Sequence, residues 1–213
     1  MLRTLKQKAG LEYYKLQRRL ALITEEWKFL LQVKKAVTLK ILIGSSGVFE
    51  NGWIPTNYQY LNLLIESDWQ KVFDKKKIDV ILAEHVFEHL TEAEGRRALQ
   101  ICHKHMKQGA RLRVAVPDGF SPDRGYIDMV KPGGTGEGSD DHKALYNVEL
   151  LEEMLVSAGF AVERLEYYDS NGLFHHFPWD PLDGMIHRSL TFDDRNADGV
   201  IRYTPLILDG FKL

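Results

Sequence analysis

Leu39-Lys-Ile-Leu-Ile-Gly-Ser-Ser-Gly47 decides the fold. It is a short apolar run that stops at a glycine turn, which is how a buried strand ends when the backbone must reverse tightly. Two more runs of strand length follow, Ile78-Asp-Val-Ile-Leu-Ala83 and Arg111-Leu-Arg-Val-Ala-Val-Pro117. A helical stretch from Glu92 to Met106 separates them. Another, Val148 to Ala158, stops at Gly159, a good helix terminator. Strands alternating with helices mean crossover connections and a largely parallel sheet. Ala161–Tyr168 and Val200–Asp209 read as two further strands.

Working back from Leu39, residues 2–35 read as one long helix. Tyr13, Leu16, Leu20, Ile23, Trp27 and Leu30 are spaced alternately by three and four, which keeps them on one face. The expected division is a helix over 1–36 and a domain over 37–213. Residues 1–40 hold ten Lys and Arg against Glu12, Glu25 and Glu26, a charge of +7. The whole chain carries -2, so the remainder carries -9. A helix docked on the domain is the plainest reading. A homodimer contact through the helix and a basic surface lying on a membrane are the alternatives.

The near-neutral total gives no nucleic-acid signature. Cys102 is the only cysteine, so neither an internal disulfide nor a cysteine-rich zinc site is available. Lysines and arginines interrupt the first residues, which argues against a secretory leader, and no stretch is long and apolar enough to span a membrane. A cytoplasmic location is the default expectation.

In an open parallel sheet, ligands bind beyond the carboxyl ends of the strands. That brings Gly44–Gly47, Glu84–His89 and Pro117–Asp118 to one crevice. The dinucleotide pattern G-x-G-x-x-G is absent, which argues against a nicotinamide enzyme. His85-Val-Phe-Glu88-His89 matches a zinc-peptidase pattern, H-x-x-E-H. Its place directly after a parallel strand argues against that use, so no metal site is expected. Asp140, Asp141 and His142 follow the run Gly133-Gly-Thr-Gly-Glu-Gly138. His142 suits a general base, and the same three residues suit a helix cap. His175 and His176, with Phe174, Phe177 and Trp179, either line a pocket or form a small core of their own. Asp193, Asp194 and Asp198 resemble a calcium loop only loosely and lack its bidentate glutamate.

Taken together, "LKILIGSSGVFENGWIPTNYQYLNL", "IDVILAEHVFEHLT", "MKQGARLRVAVPDG", "VKPGGTGEGSDDHKALYN" and "FDDRNADGVIRYTPLILD" resemble class I S-adenosylmethionine-dependent methyltransferases. The likeness is closest to a bacterial subgroup whose first motif reads G-C-G…G-W. It implies a Rossmann-like α/β fold with a seven-stranded, mostly parallel sheet and an antiparallel last strand. It implies S-adenosylmethionine as cofactor, held by Gly44, Ser45, Gly47, Asn57 and Glu84. His85, Asp118 and His142 would face the reacting centre. The acceptor would be an oxygen or nitrogen nucleophile on a small molecule or a sugar. This sequence departs from the pattern at Ser46, where the family has a glycine, and at Asn57, where it has an acid. Those departures make a non-catalytic binding module of the same fold the alternative, with a zinc hydrolase third.

Overall fold

The chain forms two compact units, Met1–Val37 and Thr38–Leu213. The computed structural model describes residues 2–45 and 50–213, with side chains from residue 12 onward. The first unit is a single helix, α1, Leu2–Lys35. Lys34 and Lys35 close it, placing positive charge at the carbonyl end of the helix dipole. Tyr13, Leu16, Leu20, Ile23 and Trp27 are each more than half exposed. No described helix is long and apolar enough to cross a membrane.

The second unit is built on a seven-stranded sheet. Its strands are β1 (Lys40–Ile43), β2 (Ile54–Pro55), β3 (Ile78–Glu84), β4 (Met106–Pro117), β5 (Phe160–Tyr168), β6 (Phe174–His176) and β7 (Pro205–Lys212), in the spatial order β2-β1-β3-β4-β7-β5-β6. β1 to β5 share one direction, whereas β6 and β7 run against them. This is the expected Rossmann-like α/β class, with the last strand antiparallel between two neighbours. The chain leaves β1 towards β2 and returns to β3 on its other side, so the order reverses between β1 and β3. A crevice opens at such a reversal.

The sequence explains most of these elements. Leu112 to Pro117 are buried one after another, on both faces of the sheet, because β4 is a central strand. The helix α2 (Glu66–Phe73) buries Trp69 and Phe73, four residues apart. α3 (Glu92–His105) opens on a reciprocal cap. The Thr91 hydroxyl accepts from Glu94 N–H, and the Glu94 carboxylate accepts from Thr91 N–H. Such caps contribute about 1 kcal/mol. α5 (Val148–Ser157) is capped by Asn147, whose side chain accepts from Leu150 N–H. Gly159 then ends it at φ 98°. Asp140 to His142 therefore do not cap the next helix.

Two strand starts depart from the expectation. β4 begins at Met106, not Arg111, and the last strand begins at Pro205, not Val200. Residues 196–204 are instead a loop tied by Asn196, whose side chain accepts from Arg202 and Tyr203 N–H and donates to Tyr203 C=O. The glycine-rich run has a structural place in the fold. It closes the carboxyl end of α4 (Arg124–Val130), where Gly134, Thr135 and Gly136 donate to the carbonyls of Lys131, Asp128 and Met129. A Cβ at Gly134 would meet the Met129 carbonyl oxygen, so glycine is required there.

The long segment after β6 covers part of the sheet. Ile186 is buried with Leu42, Trp53, Leu82, Ala115, Leu165 and Ile207, and Trp179 packs against that cluster. Two buried charges anchor it. Arg113 forms a two-pronged bond with Asp209, both contacts 2.7 Å, and donates to the Gly184 carbonyl at 2.6 Å. The Trp179 ring lies over the Arg113 guanidinium, 4.7 Å to the centroid. Glu166 is fully buried and accepts from Trp179 Nε1, Leu190 N–H and the Thr204 hydroxyl.

Candidate functional site

A pocket opens at the carboxyl ends of β1 and β3, where the strand order reverses. Leu42, Ile43, Gly44 and Ser45 line it from the first strand and its turn, and Leu82, Glu84 and His85 from the third. Glu50 contributes from the connection to β2, and Met185, His187 and Arg188 from the late segment.

Gly44 has a double reason to be glycine. Its φ is +65°, and a Cβ would stand 2.6 Å from Val86 Cγ2. The turn thus packs directly against the residue that follows His85. Gly47 and Ser46 lie outside the described residues. The Glu84 carboxylate accepts from Arg188 N–H at 2.9 Å and His187 N–H at 3.3 Å, which fastens the late segment to the pocket. His187 Nε2 is 2.7 Å from Glu50 Oε1, joining the two remaining sides.

His85 is the only non-glycine residue at positive φ among the described residues, at 53°. That conformation is strained for a side chain of this size, and such strain gathers at sites where position matters. The ring is fixed from both ends. Nδ1 is 2.7 Å from Glu88 Oε1, and Nε2 is 3.5 Å from the Tyr203 hydroxyl. Tyr203 and Tyr126 meet edge to face beyond it.

The remaining expected residues stand elsewhere. Asn57 follows β2, and its side-chain oxygen accepts from Gln59 N–H at 3.0 Å. It does not line the pocket. Asp118 does not line it either. It is fully buried, and its two oxygens accept from Phe120 N–H at 2.9 Å and Tyr168 N–H at 2.7 Å. Burial pushes its carboxyl up to about 6 against the opposing effect of those two bonds. His142 also lies off the pocket. Its Nδ1 is 2.7 Å from the Val130 carbonyl, and its ring meets His89 edge to face at 4.9 Å. The two histidines of H-x-x-E-H are thus separated in role: His85 turns to the pocket, and His89 turns to His142.

His175 and His176 are in the β6 hairpin. His175 stacks on Tyr167 and pairs with Asp169 at 2.9 Å. Asp193 and Asp198 are spent on Arg195 and Arg202. Sequence reading missed Glu50, Met185, His187 and Arg188. The one signal for the last three was the length of the segment carrying them, since long irregular segments are often functional.

No protein-family model matches the chain, and no curated protein does. Solved structures do resemble it. A SAM-dependent methyltransferase from Archaeoglobus fulgidus is 14% identical with a TM-score of 0.45, over 88% of this chain and 94% of that one. An S-adenosylmethionine-dependent methyltransferase from Mesorhizobium loti is 12% identical with a TM-score of 0.47, over 88% and 98%. The magnesium protoporphyrin IX methyltransferase of Synechocystis, solved with bound SAH, is 10% identical with a TM-score of 0.42, over 89% and 82%.

Proposed function

We propose that this protein transfers a methyl group from S-adenosylmethionine to an oxygen or nitrogen nucleophile on a small molecule or sugar. The observation that carries the proposal is the pocket at the strand-order reversal, lined by the glycine turn after β1 and by Glu84 and His85 after β3. The order of the sequence motifs supports the same chemistry. Gly44 and Ser45 admit the cofactor close to the backbone, and Glu84 offers a carboxylate within the pocket. Gly47, which lies outside the described residues, and Asn57, which follows β2, keep their place as cofactor contacts on the sequence resemblance alone.

When bound, the cofactor supplies an activated methyl group, and the protein supplies orientation. Two imidazoles line the pocket, and His187 is paired with Glu50, so the proposal gives His85 the place beside the acceptor. Asp118 is withdrawn, because its oxygens are occupied inside the fold. The proposal does not give His142 the proton transfer, because it lies off the pocket with its ring against His89 and its Nδ1 on the Val130 carbonyl.

Calorimetry with S-adenosylmethionine and its demethylated product tests the reading. Both should bind one site, and a ligand at a hundredfold excess over its Kd should add about 2.7 kcal/mol of stability. Absence of heat and of any thermal shift with both compounds would overturn it. A binding module without turnover is the second reading. It is favoured by the two bonds that already engage Glu84. Tight binding of both compounds, with His85→Ala leaving every tested methyl transfer unchanged, would select it.

A further inference from the structure

Beside the pocket lies a constellation that methyl transfer leaves unused. Glu88, His89 and His142 each offer one donor atom, and these atoms lie within 4.8 Å of one another. They come from two distant stretches of chain. The backbone brings them together, because Lys143 and Ala144 donate their N–H groups to the Glu88 carbonyl at 2.7 and 3.2 Å.

The protonation pattern of the cluster suits a cation. Glu88 is 1% exposed. Its Oε1 takes the His85 bond, whereas Oε2 is buried without a hydrogen-bond partner. A buried carboxylate oxygen is costly unless positive charge meets it. The His142 Nδ1 contact is with a carbonyl oxygen, which can only accept. The neutral ring therefore carries its proton on Nδ1 and presents a lone pair at Nε2. Metal-bound imidazoles are held in this way, with the second nitrogen donating to a backbone carbonyl or a carboxylate. His89 Nδ1 is also buried, 2.7 Å from an Asp141 carboxylate oxygen yet outside hydrogen-bonding geometry. Asp141 is well exposed, so the cluster is open to solvent on that side.

The geometry points to a binding site for one divalent metal ion of the zinc class, with Glu88, His89 and His142 as ligands and the Asp141 carboxylate at its exposed side. Two imidazoles and a carboxylate suit zinc, and also iron(II), cobalt(II) or manganese(II), and no thiolate is present to favour copper(I). Ligand atoms about 2.0–2.2 Å from such an ion stand roughly 3.4 Å apart, so small side-chain rotations complete the set. His85 is not a ligand. It shares Glu88 with the ion, so occupancy of the site fixes the carboxylate that orients the pocket histidine. The site is therefore a positioning element for the pocket, and it does not depend on which reaction the pocket performs.

The test titrates the full chain, free of a polyhistidine tag, with zinc(II) and separately with cobalt(II), whose visible absorption reports its ligands. One equivalent should bind, with a cobalt spectrum of low coordination number. Glu88→Gln, His89→Ala and His142→Ala should each weaken binding by more than the roughly 10–100-fold that loss of an outer partner costs. His175→Ala, in a histidine–carboxylate pair elsewhere, should leave it unchanged. Metal-free melting curves identify which variants fold, and Glu88→Gln preserves shape if an alanine variant fails. Failure of the wild-type chain to bind one equivalent would overturn the assignment. So would wild-type affinity in the folded variants, or loss of binding in His175→Ala.

Discussion

His187 reaches Glu50 with Nε2 2.7 Å from Oε1, and both residues line the same pocket from different segments. The bond ties the late segment to the connection before β2. A ligand entering between them has to displace that tie. His187→Ala should therefore speed both binding and release of S-adenosylhomocysteine, measured by stopped-flow fluorescence. Both partners are partly exposed, so stability should change by less than about 1 kcal/mol. Unchanged rates would show that ligand enters by another side.

Gly44 and Val86 form a second coupled pair. Gly44→Ala forces a side chain into left-handed backbone and against Val86 Cγ2. We expect a loss of about 1–3 kcal/mol, part from backbone strain and part from overlap. Val86→Ala should relieve the overlap and leave the strain. The double variant should thus be more stable than the sum of the two single losses, by about 0.5 kcal/mol or more in a chemical-denaturation cycle. Strict additivity would mean that the two residues do not touch.

Asp118 makes stability depend on pH in an unusual direction. Burial raises its carboxyl from 3.8 to about 6. Between those values the unfolded chain has lost the proton and the folded chain still holds it. Stability therefore falls as pH rises from about 4 to 6, by about 3 kcal/mol for this group alone. Below that window the carboxyl is protonated in both states and contributes no slope. Asp118→Asn should remove this falling component from the stability curve. A carbon-detected titration placing the wild-type carboxyl at the ordinary value would refute the assignment.

The exposed line on α1 predicts association. Tyr13, Leu16, Leu20, Ile23 and Trp27 repeat at the three–four spacing with which paired helices interlock. We expect the full chain to sediment as a dimer, and Leu20→Glu with Trp27→Glu to make it a monomer. A monomeric wild-type chain would remove the second copy as the partner of this face.

The parts of the molecule fixed by local chemistry were legible in the sequence. β1, β3, α3, α5 and β5 each carry an apolar period or a cap within their own residues, and each was placed to within two residues. α2, α4 and the two short strands β2 and β6 were not assigned, because two to eight residues hold too little period to stand out. The start of β7 was misplaced because Asn196 organises residues 196–204 through side-chain bonds that no pattern reports. The pocket was half legible. Gly44, Ser45, Glu84 and His85 follow from strand ends, whereas Met185, His187 and Arg188 arrive over a hundred residues later on a segment whose path depends on Arg113 and Glu166. The Glu88–His89–His142 cluster was hidden for the same reason. His142 was read with its neighbours in sequence, although Glu88 and His89, its neighbours in space, come from the turn after β3.

The place of β7 has a consequence for how the chain is made. β7 lies between β4 and β5, yet it is synthesised after both. Until it emerges, one edge of β4 has no partner. A nascent chain in that state displays an apolar edge, Val114-Ala-Val116, of the kind that recruits other strands. Arg111, Arg113 and Pro117 bracket it, two charges and a residue without an N–H. Charged and proline flanks of this kind discourage an apolar strand from pairing wrongly. Afterwards the same two arginines meet Asp209, which arrives on β7 itself. Two of the residues that flank the unfinished edge are thus those that hold the correct strand once it is present.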